Sequence, residues 1–219
     1  MTAISGKSDE AKLGAYRNAL ENVNSQDQIA QALIKLGYEK PIIDVGRELL
    51  NETLKKYQLN QAENAERSMA FDQFKAFWIE MDKQYTYDRK RAKVIFRNEP
   101  GILQKLALVG SPPSSFEKWI QSVKIFYTEL SNDKDLQQRV QRLKLSEEGI
   151  IKGKKNSEEL EKARGNYMKE KGEAQDATQK KEEAFSKINE WMGEFYAVAR
   201  IALEDNPQLL EALNKTVKN

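Results

Sequence analysis

Apolar residues recur in steps of three and four along most of this 219-residue chain, which is the spacing of one face of an α-helix. Ser8 and Asp9 offer an N-cap to a first helix carrying Leu13, Tyr16, Leu20 and Val23 on one face, and Asn24 and Ser25 interrupt it. A second short helix turns Ile29, Leu33 and Leu36 inward, and Gly37 stands where a helix end wants a residue that tolerates positive φ. Pro41 then suits the first turn of a much longer element running to Arg97, either one helix or two stacked end to end. No glycine or proline falls between Arg47 and Glu99, and an unbroken helix over Pro41 to Arg97 would be about 85 Å long. Its seam reads Ile43, Leu50 and Tyr57, then Phe71, Phe74, Trp78, Met81, Tyr85, Ala92 and Ile95, with Asp88 as the one charged residue on it.

After Gly110-Ser-Pro-Pro-Ser-Ser115, the clearest linker in the chain, the pattern starts again at a constant displacement of 107 positions. Leu13, Tyr16, Leu20 and Val23 become Ile120, Val123, Tyr127 and Leu130, and Ile29, Leu33 and Leu36 become Leu136, Val140 and Leu143. Ile43 and Gly46 fall on Ile150 and Gly153, Trp78, Met81 and Tyr85 on Phe185, Ile188 and Met192, and Pro100 on Pro207. One register holding without a gap predicts an all-α, elongated helical bundle built from a tandem duplication. Each half has two short helices and one long helix, whole or broken. The expected organisation is a disordered N-terminus over 1–7, a first repeat over 8–109, a linker over 110–114 and a second repeat over 115–219, the two repeats packing as one pseudo-twofold domain.

The middle of the long element is polar in both copies: Gln58, Asn60, Gln61, Glu63, Asn64, Glu66 and Arg67, then Gly165, Asn166, Lys169, Glu170, Gly172, Glu173 and Gln175. Gly165 and Gly172 each cost about 1 kcal/mol of helix stability relative to alanine, so the second copy is expected to bend or break there. Glu63 and Glu66 correspond to Glu170 and Glu173, a pair one turn apart in each half. Four carboxylates could hold a divalent ion, but carboxylate-bridged bundles add a histidine and this chain has none. A polar layer that fixes register, or a solvated face, is the stronger expectation.

Composition then removes whole classes of function. Thirty-six basic residues stand against 34 acidic ones, so no global field draws the chain to nucleic acid or membrane. Mean hydropathy is -0.76, and no window is long and apolar enough for a membrane span, which makes a cytoplasmic protein the default expectation. Cysteine and histidine are absent, which takes away thiolate chemistry, the commonest general base and the commonest transition-metal ligand. There is no phosphate loop and no nucleophile elbow either. No catalysis and no cofactor is expected, and Asp88 is read as a satisfied structural residue facing Arg or Lys.

Gly172-Glu-Ala-Gln-Asp-Ala-Thr178, Trp191-Met192, Ala199-Arg-Ile-Ala-Leu203 and Asp205-Asn-Pro-Gln-Leu-Leu-Glu211 resemble a group of uncharacterised bacterial all-helical proteins with duplicated halves. The resemblance covers most of the second half and, more weakly, the first. It implies an all-helical fold and a bacterial source and supplies no site residues.

Two functional readings from different classes follow from the residues themselves. The first is a non-catalytic scaffold or protein-interaction module that binds another protein or itself. In that reading Trp78 belongs to the aromatic seam and Phe77, just off it, extends an interface. The second is nucleic-acid binding through Tyr85 to Lys93, where Tyr87 would stack on bases and Arg89, Lys90, Arg91 and Lys93 would neutralise phosphates, helped by Lys152, Lys154 and Lys155. Those basic residues spread around more than half the helix rather than lining one stripe, which favours the first reading.

Overall fold

The computed structural model describes residues 8–215; the disordered lead-in expected over 1–7, and the last four residues of the second repeat, lie outside the described residues. Within them the chain is all-helical, with no strand. In order the helices are α1 (Asp9–Ser25), α2 (Asp27–Ile34), α3 (Lys40–Ile95), α4 (Pro100–Lys105), α5 (Phe116–Asn132), α6 (Lys134–Gln141), α7 (Glu147–Ala202) and α8 (Leu209–Ala212). Phe116 follows Asp9, Lys134 follows Asp27 and Glu147 follows Lys40 by the same 107 positions, and the C-terminal bounds of these helices keep the same interval.

α3 and α7 are each one 56-residue helix, unbroken through their polar middles. Gly165 and Gly172 are accommodated inside α7, where the aromatic and aliphatic packing on either side outweighs their cost of about 1 kcal/mol each. The chain nevertheless divides into two compact units, and the division falls inside the polar stretches. The first unit holds the residues up to Asn64 together with those from Glu173 on, and the second is Ala65–Gly172. Each unit therefore joins the opening helices of one 107-residue stretch to half of the long helix of the other.

In the first unit, α1 buries Leu13, Tyr16, Leu20 and Val23, and α2 buries Ile29 and Leu33. They meet Ile43 and Leu50 of α3 and Ile188, Met192 and Phe195 of α7. The opening of α3 and the close of α7 run antiparallel: Tyr38 hydroxyl donates to Glu194, Thr53 Oγ1 to the Ala184 carbonyl, and the Asn60 amide to Thr178 Oγ1. The second unit repeats the arrangement with a more aromatic core. Phe74, Met81, Tyr85 and Ala92 of α3 pack with Trp119, Val123, Phe126 and Tyr127 of α5 and with Ile150 and Leu160 of α7.

Local chemistry explains the ends of the helices. Ser8 Oγ accepts from the Ala11 N–H at 3.3 Å, capping α1 as its type suggests. Four helices end in the same pair of backbone bonds, for example Gly37 N–H to Ile34 O and Tyr38 N–H to Leu33 O, the arrangement that turns a residue left-handed just past a helix. The left-handed residues at these four helix ends are Gly37, Ala107, Lys144 and Asn214.

Two details of the expected core differ. Leu36 is exposed, because α2 already ends at Ile34 and the left-handed turn at Gly37 swings Tyr38 inward in its place. On α3, Phe71 is exposed and Ile95 only partly buried, while Phe96 is completely buried. From Ala92 the next residue on the same face is four positions on, and a strict three-four alternation slips off it.

Candidate functional site

The basic and aromatic stretch of α3 separates into buried and exposed members. Arg89 is 5% exposed. Its guanidinium donates to the carbonyls of Ala107, Leu108 and Gly110 at 2.8, 3.0 and 2.8 Å and to Tyr85 Oη at 3.3 Å. Those carbonyls belong to the turn after α4, so Arg89 holds that turn and the start of the linker. An arginine fully engaged by backbone oxygens inside the protein cannot reach a phosphate, which corrects its expected nucleic-acid role. Arg91 lies over the ring of Tyr87 at 3.8 Å, approaches Asp88 at 3.4 Å and donates to the Lys144 carbonyl. Lys93 donates to the Gly110 carbonyl at 3.1 Å, whereas Lys90 and Tyr87 are exposed.

Asp88 is 5% exposed. Its Oδ2 accepts from the Tyr127 hydroxyl at 2.8 Å and its Oδ1 faces Arg91. Desolvation pushes the Asp88 carboxyl above the usual range, partly offset by the Tyr127 bond, the Arg91 charge and a Gln84 bond. Burial, followed by the Asp88 charge, pushes the Tyr127 hydroxyl strongly up. The expected cationic partner is present, but the principal partner is a tyrosine on α5 that no sequence signal links to Asp88. Both groups are buried in the second unit.

Of the four glutamates, Glu66 and Glu170 fall in the second unit, while Glu63 and Glu173 belong to the first. Glu66 and Glu170 each offer a carboxylate oxygen within 4.8 Å of the other. Lys169 Nζ donates to Glu170 Oε1 at 3.1 Å, so an ammonium already supplies counter-charge to the Glu170 carboxylate.

Phe77 and Trp78 differ in burial. Phe77 is 44% exposed, and on the same helix Ile79 is 61% and Met69 59% exposed, pointing in different directions around it. Trp78 is half-buried, its ring 5.1 Å from Phe116 and 6.0 Å from Trp119. At the positions 107 residues later stand Asp176, Ala184 and Ser186 in place of Met69, Phe77 and Ile79. Of these, Ala184 is buried, so the later stretch carries no large apolar side chain at these positions.

Among the described residues no helix is long and apolar enough to cross a membrane. No family model, curated protein or solved structure matches the chain.

Proposed function

We propose that this chain is a non-catalytic helical scaffold of the cytoplasm, built by tandem duplication of a unit of about one hundred residues, that acts by binding another protein or itself. The observation that carries the binding role is the exposure of Phe77 on α3, with Met69 and Ile79 exposed elsewhere around the same helix, at positions where Asp176, Ala184 and Ser186 stand 107 residues later. The duplication is supported by the constant interval of 107 between helix bounds, by left-handed residues at Gly37 and Lys144 and at Ala107 and Asn214, and by cleared glycines at Gly46 and Gly153. The nucleic-acid alternative retains Tyr87 and Lys90 as exposed groups and loses Arg89 to the fold.

Size-exclusion chromatography with light scattering, run at several concentrations with absorbance at 260 and 280 nm, tests the reading. The expected result is a dimer or a protein complex that Phe77→Ser and Ile79→Ser together dissolve, with a nucleic-acid-free absorbance ratio. Nucleic acid that co-elutes and leaves as salt rises would establish the alternative instead. Assembly unchanged in the double variant would remove these two residues from the proposal.

A further inference from the structure

We propose that a slot beside Trp78 in the second unit binds a small aromatic zwitterion, of which a free aromatic α-amino acid is the simplest. The slot has a volume of about 500 Å³, within the range that holds small ligands. It is lined by Trp78 and Ile79 of α3, by Pro112 and Pro113 of the linker, and by Trp119 of α5. The linker wall is fixed, because Arg89 and Lys93 both donate to the Gly110 carbonyl just before it.

The walls define two halves of a ligand. Trp78, the exposed Ile79 and the two prolines form an apolar surface that a flat ring would cover, removing Ile79 from water. The polar rim holds Asp82, Lys83 and Ser114, and neither Asp82 nor Lys83 takes part in a salt bridge among the described residues. Trp119 is 4% exposed, and its Nε1–H has no acceptor among the described residues. A simple organic cation would suit Trp78 and Asp82 but meets Lys83. A simple anion would suit Lys83 and meets Asp82. A zwitterion satisfies both, its ammonium on Asp82 and its carboxylate on Lys83 and the Ser114 hydroxyl. At the positions 107 residues after Trp78, Ile79, Asp82 and Lys83 stand Phe185, Ser186, Asn189 and Glu190, so the fold does not itself require this set.

Titration of the full chain with L-phenylalanine, followed by calorimetry and by saturation transfer to the phenyl protons, tests the proposal. The expected dissociation constant is about 1 mM, the range that so small a ligand reaches in an open slot. L-alanine and N-acetylphenylalaninamide, which lack the ring and the charges respectively, should each bind about tenfold more weakly or worse. Asp82→Asn and Lys83→Gln, both at exposed positions, should each weaken binding about threefold to tenfold without moving the thermal melt. No saturation by about 20 mM, equal binding of L-alanine, or wild-type affinity in both charge variants would overturn it.

Discussion

The hydroxyl of Tyr127 donates to Oδ2 of Asp88 at 2.8 Å, holding a carboxylate inside the aromatic core of the second unit. Because burial raises the Asp88 pKa above the ordinary aspartate value of 3.8, the folded chain binds this proton more tightly than the unfolded chain. Stability contributed by Asp88 is therefore lowest above its folded pKa and grows as pH falls through that value toward about 4. Tyr127→Phe should lower stability at pH 7 by about 1–3 kcal/mol, by leaving the carboxylate without its main donor. The penalty should shrink on acidification as Asp88 protonates. Urea denaturation of wild type, Tyr127→Phe and Asp88→Asn at pH 7 and pH 5 checks this, and a penalty of the same size at both pH values would contradict it.

Glycines at equivalent positions of the two stretches are cleared for aromatic rings. A Cβ on Gly46 would lie 2.3 Å from Trp191, and one on Gly153 would lie 2.2 Å from Tyr127. Gly46→Ala and Gly153→Ala should each destabilise by about 1–3 kcal/mol, because the rings are packed and cannot retreat. Gly165, Gly172 and Gly193 meet nothing within 4 Å, so alanine there should stabilise by about 0.5–1 kcal/mol. At the left-handed Ala107 and Lys144 the preference reverses, and glycine should gain about 1 kcal/mol. Denaturation midpoints for these seven variants sort them by sign.

Replacing Arg89 tests whether the turn after α4 depends on it. Arg89→Lys keeps the charge but gives up the planar fork that reaches three carbonyls. Stability should fall by about 2–3 kcal/mol in the lysine variant and further in Arg89→Ala. Amide exchange over residues 107–111 should accelerate before the rest of the second unit opens. Uniform protection in that segment would mean the turn stands without its arginine.

The helices could be read from the chain because their information is local: apolar spacing, the Ser8 cap, the Gly37 stop and the prolines at 41, 100 and 207 each act within one turn. The role of Arg89 could not, since its acceptors are main-chain oxygens 18 to 21 residues away that carry no residue-type signal. Tyr127 escaped notice for a related reason, as it aligns with Leu20 and reads as one more apolar position. The exposure of Phe77 was legible, because helical phase places it off the seam, whereas Ile79 was not singled out.

One pair of equivalent positions is filled by opposite chemistry. In the first unit Lys181 Nζ donates to Asp9 at 2.8 Å, while 107 positions from each, in the second unit, Phe74 meets Phe116 edge to face at 5.3 Å. The ionic pair is partly solvated, so Asp9→Asn should cost less than about 1 kcal/mol. Phe74→Ala removes a buried ring that also touches Trp78 and Tyr167, and should cost about 3–5 kcal/mol. Urea denaturation of the two single variants measures the contrast. Equal costs would mean that the ion pair is far less solvated than its exposure implies, whereas the expected gap would locate the stability of this contact in aromatic packing rather than in the shared helix geometry.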